Sequence, residues 1–251
     1  MFKCFLFIIF LCGSSYAQNR ESYINQIKHS QNENKLKETY KISKEFYKKF
    51  PKDTLAIIYY AYNAQELDYY KNKNNILKLY DELIKTDTNN INFYNLKGFY
   101  YLRIEDYING IQLAKKSLSR KSNLETNLLL ALLYEGKLDT INANQYFIEA
   151  YKIDSNNSFL NYKFAYTCYY RRNYSRSAKY FIRFIELIKN KNESNSFAFI
   201  PDLIISLWYI NDKEKVLYYW KTYSKNNEAH YNYRFNNNLK TKEIKEYCES
   251  R

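Results

Sequence analysis

Residues 98–118 read GFYYLRIEDYINGIQLAKKSL and carry Gly98 and Gly110, two of the four glycines in a chain of 251 residues. The apolar residues around them otherwise recur at helical spacing. A glycine inside a helix costs about 1 kcal/mol relative to alanine, so two of them in one stretch need a compensating reason. Close approach of a neighbouring element supplies one.

The composition agrees with a helical reading. Apolar residues make up 46% of the chain and charged residues 26%, which suits a chain that buries a core and excludes disordered and collagen-like classes. Four glycines and two prolines are too few for the turns of a sheet protein of this length, so the expected fold class is all-α.

Outward from residues 98–118, small residues recur. Ala64, Gly98, Ala131 and Ala165 are 34, 33 and 34 residues apart (98 − 64, 131 − 98, 165 − 131). Twelve positions after each stand Ile76, Gly110, Ala143 and Ser177, three of them small. Four positions further come Tyr80, Ala114, Phe147 and Phe181, and three beyond those Leu83, Ser117, Ala150 and Phe184. The spacing i, i+4, i+7 is one face of a helix. Each period is therefore a helix with one small site, a tight turn, and a second helix with another small site and an apolar stripe.

This pattern resembles the tetratricopeptide repeat, a helix-turn-helix unit of about 34 residues. Tyr94, Gly98 and Tyr101 match the repeat's first helix, Asp106-Tyr107 its turn, Gly110 the small residue of its second helix, and Ser117-Leu118 the Ala-Leu near its end. Ala131, Tyr134, Ala143, Phe147 and Ala150 repeat the match, as do Ala165, Tyr174, Ser177 and Phe181. The departures are Lys97 where a leucine is usual, Gly136 two residues early for the turn, and a closing proline that survives only as Pro51.

Fainter units flank these four: residues 22–51 upstream, and residues 197–226 downstream with Val216, Trp220 and Tyr223. The resemblance implies a right-handed α-α superhelical solenoid of about six units over residues 18–227. Residues 228–251 are then a linker and a C-terminal capping helix at 239–248, since end repeats otherwise expose an apolar face. Gly98 and Gly110 are expected where the paired helices of one unit cross, because helix separations of about 8–10 Å depend on what sits at the contact.

Residues 1–17 read as a cleavable signal peptide. Lys3 precedes the apolar run FLFIIFLC at residues 5–12, and Ser15-Tyr16-Ala17 is a small-x-small cleavage pattern. The run falls short of the roughly 20 residues of a spanning helix, so no transmembrane segment is expected in the mature chain. The chain is thus expected to be exported, periplasmic or secreted. Lipidation at Cys12 is the competing reading, disfavoured by Leu11 in front of it.

After cleavage Cys168 and Cys248 remain, in different helix layers of such a stack, and two free thiols are expected. No metal or cofactor is expected, since two separate cysteines with His29 and His230 make no ligand set. The chain holds no glycine-rich phosphate loop, HExxH or GxSxG, and no serine or cysteine with a histidine in a recognisable arrangement, so no catalytic residue is expected.

The resemblance implies a non-enzymatic scaffold that holds a peptide or protein partner. In the family the groove is lined by the first helix of each unit. That face maps here to Gln65, Asp68 and Tyr69, to Asn95, Phe99, Leu102 and Arg103, to Leu128, Leu132 and Glu135, and to Phe159, Tyr162, Tyr166, Tyr169 and Tyr170. Aromatic residues and Arg dominate binding hot spots, so Phe99, Arg103, Tyr162, Tyr166, Tyr169 and Tyr170 are the candidate partner-binding groove. The alternative for each is packing between adjacent units. Base composition is a further source of rings, because the 30 tyrosines accompany many Lys, Asn and Ile whose codons are all A/T-rich.

The formal charge is +13 (39 − 26), or +12 without Lys3, which favours anionic partners. The segment YYRRNYSRSAKYFIRF at residues 169–184 has the aromatic and basic mix of single-strand binders. Export argues against nucleic acid. The second functional reading is therefore an electrostatic binder of anionic cell-envelope polymers, glycans or lipid head groups, through Arg171, Arg172, Arg176, Lys179 and Arg183. A solvated outer face is the plainer account of the same residues.

Overall fold

Side-chain caps set the helix starts. Asp53, Asn90, Asp106, Asn123, Asp139, Asn157, Asn173 and Asp212 each accept a hydrogen bond from a backbone N–H two or three residues on. Such caps satisfy donors that the first helical turn leaves open, at about 1 kcal/mol each.

The computed structural model describes residues 2–68, 70–189, 198–223 and 239–251, with side chains from residue 17 onward except 68, 239 and 240. The described residues form thirteen helices and no strand. They are α1 (Phe2–Asn32), α2 (Leu36–Lys49), α3 (Thr54–Asp68), α4 (Lys73–Thr86), α5 (Ile91–Arg103), α6 (Tyr107–Leu118) and α7 (Leu124–Gly136). Then follow α8 (Thr140–Ile153), α9 (Ser158–Tyr170), α10 (Tyr174–Lys189), α11 (Ile200–Tyr209), α12 (Lys213–Tyr223) and α13 (Leu239–Glu249). The all-α expectation and the pairing of consecutive helices hold. The leader side chains before Ala17, Phe197 at the start of the sixth unit, and the linker at residues 228–238 lie outside the described residues. No helix among the described residues is long and apolar enough to cross a membrane.

The chain divides into two compact units, Met1–Glu149 and Ala150–Arg251. In the first, each helix from α1 to α6 packs on the next, and α5 also touches α7 directly. One core cluster joins Ile24, Ile27, Phe46, Phe50 and Ala56; another gathers Ile57, Ala61, Ala64, Ile76, Leu83 and Tyr100. In the second unit α9 packs on α10, α10 on α11 and α11 on α12, and α13 lies against both α11 and α12. Ile244 and Cys248 of α13 enter its core beside Leu203, Val216 and Tyr223.

The recurring small residues are all buried: Ala64, Ala131, Ala165 and Ser177 are fully inside, Ala143 nearly so, and Gly98 and Gly110 with them. In the second unit the pair meets across its hairpin, where the Ser177 hydroxyl donates to the Ala165 carbonyl at 3.0 Å. Gly110 lies at both kinds of contact, since a Cβ there would stand 3.2 Å from Tyr101 Cβ of α5 in its own hairpin and 2.5 Å from Leu133 Cδ2 of α7 in the next. Gly98 differs from expectation. The atoms nearest its missing side chain all belong to Leu129 of α7, the first helix of the following hairpin, so this glycine serves stacking between hairpins and not the crossing within one. Gly136, the last residue of α7, lies under the ring of Tyr107, which a side chain there would strike.

The turn inside five of the hairpins repeats one geometry that no glycine announces. Asn34, Glu105, Leu138, Arg172 and Asn211 have φ between 55° and 64°, in the left-handed region. The following N–H in each case bonds back five residues, as Asp106 to Tyr101, Asp139 to Tyr134, Asn173 to Cys168 and Asp212 to Leu207. This is the Schellman closure of a helix C-terminus. Between hairpins, Asp87-Thr88-Asn89-Asn90 and Asp154-Ser155-Asn156-Asn157 replace the missing proline. The first Asp of each accepts from the N–H two residues on, and the last Asn caps the next helix.

Candidate partner-binding surface

Among the described residues, rings left exposed on helices sit mostly on the first helix of a hairpin. Tyr62 on α3, Phe99 on α5, Phe159 and Tyr170 on α9, and Tyr209 on α11 are exposed, whereas Tyr218 on α12 is the counterpart on a second helix. Exposed apolar residues on the second helices α6 and α8 are aliphatic: Ile108, Ile141, Ile148 and Ile153.

In the first unit, Phe99 and Arg103 lie one turn apart on α5. Phe99 is 37% exposed. Arg103 reaches back to an ion pair with Glu66 of α3, so its guanidinium ties two successive first helices together. Asn95, mapped from the sequence to the same face, is instead buried. Its Oδ1 accepts from Ser117 Oγ at 3.0 Å and Thr126 Oγ1 at 3.1 Å, joining α5, α6 and α7 in one polar node. Asp68 and Tyr69 fall outside the described side chains. Lys97, the departure from leucine, is buried and bonds Asp81 Oδ1 through Nζ at 2.6 Å, with its ammonium over the Tyr101 ring.

In the second unit α9 brings four of the candidate tyrosines together at different depths. Tyr162 is half-buried, with ring centroids 4.9 Å from Tyr166 and 5.1 Å from Phe184. The Tyr166 hydroxyl donates to Oδ2 of the fully buried Asp202 at 3.2 Å. Burial, and then the Asp202 charge, push the Tyr166 phenol well above its ordinary range. Tyr169 rests edge-on against Tyr170 and Tyr174. Tyr170 stands 72% exposed, its ring stacked 6.0 Å from Tyr166. The two inner rings thus fix the outer one in place.

The surface carries no evident chemistry. Burial raises the pKa of the Cys168 thiol and pushes the Cys248 thiol up to about 12, so both stay protonated at neutral pH, and both cysteines are free. Among the described residues no three His, Cys, Asp or Glu side chains are grouped to hold a metal ion.

Solved structures similar to this chain share its helical-hairpin fold. PilF of Pseudomonas aeruginosa superposes with a TM-score of 0.64 over 92% of this chain and 98% of its own, at 13% identity. PilW, described as a widely conserved type IV pilus biogenesis factor, gives 0.62 over 83% and 94% at 12% identity. MamA from Desulfovibrio magneticus RS-1 gives 0.52 over 69% and 97% at 16% identity. No protein-family model matches the chain, and no curated protein matches its sequence. The fold is that of tetratricopeptide-repeat proteins.

Proposed function

We propose that this protein is a non-catalytic scaffold that holds a protein or peptide partner against the first helices of its hairpins. The observation that carries this reading is the placement of the exposed rings. Base composition would scatter surplus tyrosine over both helices of a hairpin. Here five of the six exposed rings on described helices, Tyr62, Phe99, Phe159, Tyr170 and Tyr209, lie on first helices, and one, Tyr218, on a second helix. Exposed aromatic side chains offer large contact area with few rotatable bonds. The signal-like pattern of residues 1–17 supports the part of the proposal that has the scaffold work in the cell envelope or beyond.

Capture of a cross-linked partner by the exported protein tests this. Binding should survive high salt, be lost in the Phe159→Ala, Tyr170→Ala double variant, and weaken in Tyr62→Ala with Phe99→Ala. Capture that these variants leave intact would overturn the reading.

A further inference from the structure

The hairpin of α9 and α10 concentrates positive charge on a stretch without carboxylates. Residues 155–185 contain no Asp or Glu, yet include Lys163, Arg171, Arg172, Arg176, Lys179 and Arg183. Arginine is the telling residue. The chain has nine, and four of them fall at 171, 172, 176 and 183. A/T-rich codons explain abundant lysine but not a local concentration of arginine.

Three arginines of the first unit have structural duties. Arg20 pairs with Asp53, Arg103 with Glu66, and Arg120 lies over the Tyr94 ring and bonds its hydroxyl. Arg183 is held by Glu186 and Asn156. Arg171, Arg172 and Arg176 are exposed, and no carboxylate among the described residues pairs with any of them. They converge on one place: Arg171 caps the C-terminus of α9, Arg172 occupies the turn, and Arg176 lies in the first turn of α10. Arg171 and Arg176 are close enough that both charges act on the same Cys168 thiol. Exposed Tyr170 adjoins them.

The cluster is also confined to one turn. At the equivalent position three other hairpins carry Glu105-Asp106, Leu138-Asp139 and Asn211-Asp212, and the turns after α1 and α3 carry single lysines, Lys35 paired with Glu33 and Lys71, so no arginine recurs at the turns of the other hairpins. A long polyanion gains affinity by matching charge over many sites. A single patch of guanidinium forks suits instead a few adjacent carboxylates, each able to take a bidentate bond.

We propose that the turn between α9 and α10, through Arg171, Arg172 and Arg176, docks a short acidic segment of the scaffold's protein partner, with Tyr170 beside it. This rests on the protein-partner reading and names the chemistry of that partner.

The test is a titration of the mature protein with a short fluorescein-labelled oligoglutamate peptide, read by anisotropy. Changing Arg171, Arg172 and Arg176 together to Gln should weaken binding about tenfold or more, and changing them to Lys should weaken it less, because charge remains while the fork is lost. Removing the same charge from exposed sites in the first unit, by Lys41→Gln, Lys48→Gln and Lys78→Gln, should change it less than about twofold. Thermal melts confirm that each variant folds.

Equal weakening by both Gln triples would reduce the effect to net charge and overturn the inference. So would absence of oligoglutamate binding, or arginine-dependent binding of sulfated dextran or phosphatidylglycerol vesicles without oligoglutamate binding. If oligoglutamate fails while the partner captured through Phe159 and Tyr170 is retained, this inference alone falls and the scaffold reading stands.

Discussion

Leu129 of α7 fills the space that a side chain on Gly98 of α5 would need: its Cδ2 lies 2.5 Å from the position of a Cβ there. Leu129 is fully buried, so the contact is core packing between the first helices of successive hairpins. The two glycines of residues 98–118 therefore respond differently to alanine. At Gly98 the obstacle is the end of one leucine, which can turn aside, and the helix gain of about 1 kcal/mol offsets the repacking. Gly98→Ala should leave stability within about 1 kcal/mol of wild type. At Gly110 the added Cβ meets the end of another leucine, Leu133 at 2.5 Å, and also Tyr101 Cβ at 3.2 Å, an atom fixed to the backbone. Gly110→Ala should destabilise by about 1–3 kcal/mol in denaturant unfolding. A Gly110→Ala protein as stable as Gly98→Ala would contradict the packing described.

Leu138 holds φ 64° while 85% exposed, so it suffers a left-handed conformation without recovering anything by burial. Glycine adopts that conformation freely. Leu138→Gly should raise stability by about 1 kcal/mol, and Leu138→Val should lower it, both read from thermal melts. An unchanged melting temperature in the glycine variant would show that the turn is not strained.

The polar node of Asn95, Ser117 and Thr126 links three helices. Asn95→Ala leaves two buried hydroxyls without their shared acceptor and should cost about 1–3 kcal/mol. In a double-mutant cycle with Thr126→Val the coupling should be about 0.5–1.5 kcal/mol, and simple additivity would remove the node from the account.

Alkali probes the buried rings. Burial holds the phenols of Tyr47, Tyr100 and Tyr219 up to about 12, against an ordinary 10.0, and the Glu82 carboxylate adds to the effect at Tyr47. The folded chain thus keeps these protons more tightly than the unfolded one. The stabilisation is complete below pH 10 and is lost as pH rises towards 12. Tyrosinate absorbance and loss of helical circular dichroism should rise together above pH 10. Full tyrosine ionisation near that pH with the helix signal intact would contradict it.

The period of small residues was legible because it repeats at Ala64, Gly98, Ala131 and Ala165, and burial of all four follows from it. Which neighbour each one meets was not, since a period gives register along the chain and not the identity of the facing helix; Gly98 and Leu129 are the instance. The left-handed turns were hidden because Glu105, Leu138 and Arg172 stand where glycine would have marked them. Helix face alone puts Asn95 on the groove, whereas hydroxyls on two other helices draw it into the core. The partly buried Tyr166, tied to Asp202, and the exposed Tyr170 share that face and look alike in the sequence. Only the depth of each ring separates anchor from contact.

A photo-crosslinking amino acid placed in turn at Tyr170 of α9 and at Tyr218 of α12, both exposed, compares a first helix with a second in the same unit. Cross-linking of a protein partner from position 170 and not from 218 is expected. Equal yield from both, or yield from 218 alone, would show that the first helices are not the binding face.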